Sequence, residues 1–322
     1  MSKSAKKWLI TASFLVAIGA IIFTAVMTVY HWDFSKLNTS KLQTHTYEIK
    51  ENFSNINLTT ETADIILALS SDNMCKAVCR EQEKMKYSVD VQNGTLTVKA
   101  TDDRKWYQHI GINLHSPKVT VYLPKSEYES LGIKESTGNI EIQKEIRFAN
   151  VDISLNTGDV KLFASVTDSA KINTSTGDIR VENISAGSLD LLASTGEITV
   201  SGVTSINDIK VKVTTGTVNM MNTICKSIHS NGSTGDIYLK NVTAKEKLSI
   251  ERSTGDVKFN KSDADEIFVK TSTGNVIGTL LSEKVFITDT STGIIKVPKT
   301  VTGGKCEIKT STGDIIIKQA DK

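Results

Sequence analysis

The segments LSIERSTGDV (residues 248–257) and IFVKTSTGNV (residues 267–276) are two copies of one pattern, 19 residues apart. A Thr-Gly pair recurs at spacings of 19 or 20 residues through the second half of the chain. A fixed period of this length is typical of a repeat architecture. The ten glycines of the pattern are Gly138, Gly158, Gly177, Gly196, Gly216, Gly235, Gly255, Gly274, Gly293 and Gly313.

Apolar and polar residues alternate on both sides of each Thr-Gly pair. Ile or Val stands two residues after every glycine, and the residue seven before it is apolar in all ten copies. A period of two indicates short strands with one buried face. One repeat cannot bury such a face alone, so neighbouring repeats must stack. The sequence therefore predicts an all-β fold, a β-solenoid of stacked coils of about 19–20 residues with two short strands per coil.

Charged residues on the outer face support this stacking. Six residues before the glycine, successive coils carry Asp152, Lys171, Asp190 and Lys210, which alternate in sign. As direct neighbours on adjacent strands, each pair would contribute about 0.2–1 kcal/mol. Around Val285–Ile287 the alternation slips by one residue, which predicts a β-bulge.

The N-terminal segment is typical of a membrane anchor. Residues 8–30 contain no charged residue and would span about 34 Å as a helix, enough to cross a bilayer. Lys3, Lys6 and Lys7 precede the segment, so the N-terminus is expected in the cytoplasm and the repeats outside it. A cleaved signal peptide is the alternative.

The pattern divides the chain into five parts. Residues 46–130 repeat the alternation less strictly, and we interpret Thr62–Ile65 and Asn93–Val98 as degenerate copies of the turn. Terminal repeats of a solenoid are usually atypical because they cap the core. The predicted parts are a basic tail (1–7), a transmembrane anchor (8–30), a polar tether (31–45), irregular N-terminal coils with a cap (46–130) and the regular solenoid (131–322).

Composition excludes several classes of protein. All but three of the 38 basic residues lie after residue 30, together with all 36 acidic residues, so the repeat region has no basic footprint for nucleic acid. Four cysteines in 322 residues are too few for a disulfide-built scaffold.

The turns are the candidate binding surface. Glycine and Asp or Asn at these positions have a sufficient structural cause in turn geometry. A functional interpretation makes the turns a ridge of hydroxyls and carboxylates, on which paired carboxylates could hold Ca²⁺. The GGxGxD motif of calcium-binding β-rolls is absent, so no metal site is predicted. The candidate ridge residues are Asp159, Asp178, Asp236, Asp256, Thr176, Thr234 and Thr254.

No catalytic residue or cofactor is predicted. A catalytic site is local and breaks a repeat, whereas these acids are the repeat, and no copy adds a nearby His or Arg of the kind that general acid–base catalysis recruits. The five histidines share no metal-ligand spacing, although His109 and His115 flank an alternating segment and could meet across a strand.

The segment KVTVYLPKSEYESL (residues 118–131), together with the N-terminal anchor and the repeated STGDI or STGDV, resembles a bacterial cell-envelope family of proposed adhesins, a domain of unknown function. The resemblance covers residues 46–322. It implies a β-solenoid in the cell envelope, and some family members are thought to accompany envelope-stress systems. It implies no active site.

These observations predict a non-enzymatic, membrane-anchored rod outside the cytoplasm that binds or supports the envelope. The expected partners are the membrane, through one helix, and either a cell-wall polysaccharide or an envelope protein. Self-association or strand-to-strand docking through an open C-terminal coil, residues 315–322, is a further hypothesis. The alternatives are a carbohydrate-acting β-helix enzyme and a regulatory partner in envelope-stress signalling.

Overall fold

The computed structural model describes residues 2–33, 42–82, 85–102 and 116–320. Helix α1 (Lys3–Val29) is capped at its N-terminus by Ser2, whose Oγ accepts a hydrogen bond from Ala5 N at 3.2 Å. Its mean hydropathy reaches 2.5, and it is long and apolar enough to cross a membrane. The first strand begins at Leu42, inside the segment expected to be a tether.

The remaining described chain is β-structure, which confirms the all-β solenoid. Its N-terminal part contains β1 (Leu42–Ile49), β2 (Asn55–Thr59), β3 (Asp64–Leu69), β4 (Cys75–Gln82), β5 (Met85–Gln92), β6 (Thr95–Asp102) and β7 (Lys118–Leu123). Long and short strands then alternate as β8 (Glu127–Thr137), β9 (Ile140–Ile142), β10 (Arg147–Thr157), β11 (Val160–Leu162), β12 (Ser165–Thr176), β13 (Ile179–Glu182), β14 (Ser185–Thr195), β15 (Ile198–Ser201), β16 (Thr204–Ser205) and β17 (Ile209–Thr215).

In the following coils, one strand runs without interruption from one Thr-Gly turn to the next. Three strands of 15 to 17 residues result, which are β18 (Val218–Thr234), β19 (Ile237–Glu251) and β20 (Val257–Thr273). The C-terminal strands are β21 (Val276–Leu280), β22 (Lys284–Thr292), β23 (Ile295–Lys296), β24 (Gly304–Thr312) and β25 (Ile315–Gln319).

Neighbouring coils, named here by their turn glycine, stack in parallel and in register. Asp152 pairs with Lys171, Lys171 with Asp190, and Asp190 with Lys210, which confirms the alternating column of charges. The apolar residues of all coils form one continuous core from Ile56 to Ile317. The four cysteines lie in this core as free thiols.

Two physical constraints require glycine at the turn. At Gly235 the backbone φ is +127°, a region that side-chain-bearing L residues rarely adopt. A Cβ there would also lie 2.0 Å from the carbonyl oxygen of Gly216 in the coil beneath. The first coil tolerates Ala63 at this position: Ala63 is not among the residues with positive φ, although its carbonyl oxygen still lies beneath Gly138.

Antiparallel strands cover the parallel coils at the N-terminal end. Strands β2 and β3 form the Ala63 coil, which stacks on the Gly138 coil, and β6 and β7 lie outside it. Strand β4 then pairs antiparallel with β7 and β1, and β5 pairs antiparallel with β6. These three antiparallel strands, β1, β4 and β5, are called the cap below.

One turn in this end differs from the prediction. Asn93 and Gly94 both have positive φ and join β5 to β6 as a two-residue hairpin, with Gln92 paired to Thr95. The interpretation of Asn93–Val98 as a degenerate solenoid turn is therefore wrong. Asn-Gly is the strongest short hairpin signal because both residues accept positive φ at low cost. Thr62–Ile65 is a solenoid turn, since Thr62 bridges to Thr137.

At the C-terminal end, the order of coils in space differs from their order in the chain. Strand β24 pairs with β20 on one side and with β22 on the other, and β25 likewise lies between β21 and β23. The Gly313 coil is thus inserted beneath the Gly293 coil. The expectation that residues 315–322 form the open edge is wrong for the described residues up to 320. Strands β22 and β24 pair without a register shift, so the predicted bulge at Val285–Ile287 is also wrong.

Candidate functional site

The stacked turns form one continuous surface, called the turn ridge below. It consists of the Thr that precedes each turn glycine and the residue that follows that glycine. In the first coil, Ala63 takes the place of the glycine. The Thr residues pair in register from coil to coil. Parallel stacking sets their spacing at about 4.8 Å. In spatial order the column is Thr62, Thr137, Thr157, Thr176, Thr195, Thr215, Thr234, Thr254, Thr273, Thr312 and Thr292.

The backbone of each ridge threonine is used for stacking, while its side chain faces solvent. The carbonyl oxygens of Thr176, Thr234 and Thr254 accept hydrogen bonds of 2.8–2.9 Å from the glycine N–H of the preceding coil. All three residues are exposed. Since a hydroxyl both donates and accepts hydrogen bonds, the ridge offers a row of such groups at a constant spacing.

The carboxylates Asp159 and Asp178 hold adjacent coils together. Oδ1 of Asp159 accepts a hydrogen bond from Asp178 N at 2.9 Å, and Oδ1 of Asp178 accepts one from Glu197 N at 2.7 Å. Asn139 does the same with its amide oxygen toward Asp159 N. We call this series of bonds the carboxylate ladder. It explains why Asp and Asn both occur after the glycine, because both supply an acceptor there.

The pair Asp236 and Asp256 has a counter-ion. Oδ1 of Asp236 accepts from Asp256 N at 2.9 Å, while the second oxygens of both residues lie 3.9 and 3.4 Å from Nζ of Lys258. Tyr238 donates a hydrogen bond of 2.8 Å to Oδ2 of Asp236. The two carboxylates are therefore partly neutralised. In the described part of the chain, no three His, Cys, Asp or Glu side chains are grouped so as to hold a metal ion.

The sequence matches the family model described as Toastrack DUF4097 twice, over residues 53–240 and 198–322. Together these matches include every coil of the solenoid. The chain belongs to the Toastrack DUF4097 family.

Several solved structures are similar to this Toastrack chain. A proposed lipid-binding protein of Parabacteroides distasonis is 18% identical, with a TM-score of 0.48, and the match covers 84% of this chain and 97% of that one. A proposed adhesin of Bacteroides fragilis is 14% identical, with a TM-score of 0.40 and 86% and 97% coverage. A proposed adhesin of Parabacteroides distasonis is 12% identical, with a TM-score of 0.39 and 85% and 98% coverage. No curated protein matches the sequence.

The ridge residues predicted from the Toastrack sequence lie on one surface, in two groups. Thr176 and Asp178 belong to one coil, and Asp159 belongs to the coil next to it. Thr234, Asp236, Thr254 and Asp256 belong to two further adjacent coils. The Gly196 and Gly216 coils separate these two groups. His109 and His115 lie outside the described residues.

Sequence reasoning missed Arg252, a buried cation behind the ridge. Arg252 is only 4% exposed, and its Nη1 donates a hydrogen bond of 2.8 Å to Val213 O, two coils away. It reaches this oxygen across Gly232, where a Cβ would lie 1.9 Å from Nη1. Burial lowers the pKa of the guanidinium. The extra glycine in the coil beneath an arginine was the available signal.

Glu135 is a second buried charge that the repeat pattern did not reveal. It is 5% exposed, and its Oε1 accepts hydrogen bonds from Ala63 N at 3.3 Å and Thr137 N at 3.2 Å. Burial raises the pKa of this carboxyl to about 7, although the amide hydrogen bonds act in the opposite direction. Glu135 therefore joins the Ala63 coil to the Gly138 coil at the first two turns of the ridge.

Proposed function

We propose that this chain is a non-enzymatic, membrane-anchored binding rod of the cell envelope, with its repeats outside the cytoplasm. Helix α1 supports the anchor because it is apolar, long enough to span a bilayer and preceded by lysines. The carboxylate ladder supports a non-enzymatic role, since the repeated acids bind backbone amides.

We further propose that the turn ridge binds a cell-wall polysaccharide. The observation that carries this proposal is the column of exposed threonine hydroxyls at a constant spacing of about 4.8 Å. A polysaccharide presents hydroxyls at regular intervals along an extended chain. Each hydrogen bond in water contributes only about 1 kcal/mol, so affinity would come from many contacts along one ligand.

The test is co-sedimentation of the full-length chain in detergent with purified bacterial cell-wall material. The variant combines Thr176→Val, Thr234→Val and Thr254→Val, which keeps the β-branched shape and removes three hydroxyls. At about 1 kcal/mol for each lost hydroxyl, we expect the affinity for the wall material to fall about 100-fold. The matched control is Thr204→Val, an exposed threonine away from the ridge, which should be retained like the parent chain.

Measuring retention with and without Ca²⁺ distinguishes binding by the hydroxyls of the ridge from binding by its carboxylates. Retention should be the same with Ca²⁺ and with a chelator, because Oδ1 of each Asp already accepts a backbone amide. Asp159→Asn with Asp178→Asn keeps these acceptors and should also be retained, since Asn139 fills the same role naturally. Undiminished retention of the triple threonine variant, or a calcium requirement that the asparagine variant loses, would contradict the hydroxyl ridge.

A further inference from the structure

The carboxylate ladder is interrupted in the middle of the rod, on both sides of the Gly216 coil. Eight steps between neighbouring coils carry its side-chain bond to the next amide. At the first interrupted step, Oε1 of Glu197 instead accepts hydrogen bonds from Thr199 Oγ1 at 2.9 Å and Asn219 Nδ2 at 2.7 Å. At the second, Thr217 stands where most coils have Asp or Asn.

The interruption leaves two backbone donors on the turn ridge. In the part of the chain that the structure describes, no protein atom accepts a hydrogen bond from Thr217 N or Asp236 N. The two residues belong to adjacent coils and are only partly exposed. An amide without an acceptor costs free energy, so this place favours a ligand that brings acceptors. Oε2 of Glu197 likewise accepts no bond from the described residues and can receive a donor.

An exposed aromatic ring borders the two amides. Among the exposed large apolar side chains of the described residues from 42 to 320, Tyr238 is the only aromatic one. Lys258 Nζ lies 5.0 Å from the centroid of its ring and covers one face. The other face looks toward Asn219, its register partner in the preceding coil, whose amide is drawn away to Glu197. A sugar ring packs its C–H groups on such a face while its polar groups form hydrogen bonds at the edge.

The backbone behind the interruption is held from inside by Arg252. Its bond to Val213 O passes across Gly232 and joins the Gly255 coil to the Gly216 coil. The repeat is therefore broken at one place both inside the core and on the ridge. In a repeat protein, local rules are expected to fail at functional sites, whereas the architecture itself needs only the regular pattern.

We propose that this interrupted part of the turn ridge binds one uncharged N-acetylated sugar ring of the wall polysaccharide. We call it the ridge gap, formed by the amides of Thr217 and Asp236, the carboxylate of Glu197 and the ring of Tyr238. The inference rests on the proposed polysaccharide binding and gives that binding a fixed position on the rod. The sugar packs on Tyr238, its acetamido carbonyl accepts from the free amides, and a hydroxyl donates to Oε2 of Glu197.

Charge selects an uncharged sugar. Three carboxylates, those of Glu197, Asp236 and Asp256, surround the ridge gap, against the cations Lys258 and the buried Arg252. An anionic sugar is therefore disfavoured. The acetamido group supplies a carbonyl acceptor for the amides without adding charge.

The variant Thr217→Asp repairs the ladder and tests the ridge gap. Measured as retention of the full-length chain in detergent on the same wall material, it should lower affinity about tenfold. The new carboxylate occupies Asp236 N, as Asp178 occupies Glu197 N, so the variant should fold. Asn139→Asp is the matched control, since it adds the same charge at an intact step and should be retained like the parent chain.

The ring of Tyr238 is tested by two substitutions. Tyr238→Ala should lower affinity about tenfold. Tyr238→Phe should bind like the parent chain, because it keeps the ring and removes only the hydroxyl that donates to Asp236. A loss in both variants would assign Tyr238 a structural role through that hydroxyl and would contradict stacking.

Hydrogen exchange with soluble oligosaccharides tests the class of sugar. An excess of the β-1,4-linked N-acetylglucosamine tetramer should slow exchange in the segments that contain Thr217 and Asp236. The corresponding glucose tetramer, which lacks acetamido carbonyls, should slow it less. The segments that contain Asp178 and Asp256, whose amides already have acceptors, should not change.

The outcomes separate this proposal from the one on which it rests. If Thr217→Asp and Tyr238→Ala are retained like the parent chain while the triple threonine variant is lost, the hydroxyl column binds without the ridge gap, and only this proposal is overturned. Unchanged exchange at Thr217 and Asp236 with the N-acetylglucosamine tetramer also overturns it. A parent chain that the wall material does not retain overturns both.

Discussion

The two ends of the rod both depart from chain order, but only one of them finishes in antiparallel strands. At the N-terminal end, β6 and β7 lie outside β2 and β3. At the C-terminal end, the Gly293 coil lies outside the Gly313 coil, which follows it in the chain. The N-terminal end then reverses strand direction and covers its edge with the cap, whereas the described C-terminal end does not.

This difference shows what a repeat can and cannot do. A parallel coil always leaves an edge like the one it covers, so stacking alone never closes a solenoid. Covering the parallel strands β6 and β7 at the N-terminal end required non-repeat sequence and antiparallel strands. The outermost C-terminal coil instead carries Ile294 where most coils have the ladder acceptor, and among the described residues its outer edge pairs with no strand.

The largest expected effect comes from Gly313→Ala in the inserted coil. The new Cβ would lie 2.1 Å from Gly274 O at a φ of +146°, so we expect a loss of about 4 kcal/mol in local stability. Hydrogen exchange should accelerate in β22–β25 and stay unchanged in the cap, because repeats are stabilised mainly by their neighbours.

Gly94→Ala is the matched control in the N-terminal hairpin. Nothing lies within 4 Å of its Cβ position, and only the φ of +72° opposes the substitution, so the cost should be about 1 kcal/mol. Equal costs at the two glycines would show that close stacking of turns does not dictate glycine.

The next effect on stability concerns Lys284, which joins the outermost coil to Asp263 through an ion pair. Its Nζ lies 2.8 Å from Oδ1 of Asp263, the two side chains being 3% and 11% exposed, and Gly304 is its register partner between them. Lys284→Met leaves Asp263 buried without its counter-ion and should cost about 3 kcal/mol. Hydrogen exchange should show this loss in β22 and β23 first.

Adding Asp263→Asn to Lys284→Met removes the uncompensated charge and should recover much of the stability, because the amide still offers an acceptor to Ala264 N. If the double variant is no more stable than Lys284→Met alone, charge pairing does not hold this coil. A loss in the cap would likewise contradict the local role of Lys284.

A further effect, no larger than that of Lys284→Met, is the pH dependence of stability at the first turn. Because the pKa of Glu135 is raised to about 7 from an ordinary 4.5, the folded state binds its proton more tightly than the unfolded state. Its contribution to stability is complete below about pH 4.5 and is lost as pH rises to about 7. Glu135→Gln should remove this dependence and stabilise the N-terminal coils by up to about 3 kcal/mol above pH 7.

The measurement is hydrogen exchange in β2, β3 and β8 at pH 5 and pH 8, corrected for the intrinsic rate. The C-terminal coils serve as the internal reference, since the hydrogen bonds of the Glu135 carboxyl lie within the first two coils. A parent chain whose N-terminal coils are as stable at pH 8 as at pH 5 would contradict the assigned role.

Much of the fold and of the ridge could be predicted from local pattern. The Thr-Gly period located every regular turn, and the alternation around Ile237 or Val257 identified the buried faces correctly. The cap was harder, because Asn93-Gly94 resembles a solenoid turn in composition but joins antiparallel strands. Arg252 and Lys284 were missed because each reaches past a glycine in another coil, a contact that no local pattern contains.

The sequence by itself determined the period, the strands, the turn chemistry and the apolar helix, since these depend on residues close together in the chain. Only the tertiary structure decided the order of the coils at the two ends. Nearly identical turns can stack on one another in several orders, so local pattern leaves that order open. It is selected by contacts between distant coils, such as Lys284 with Asp263 and Ile294 N with Asp314. Ile294 already departs from the usual Asp or Asn in the sequence, but only the structure shows that its coil is the outermost one.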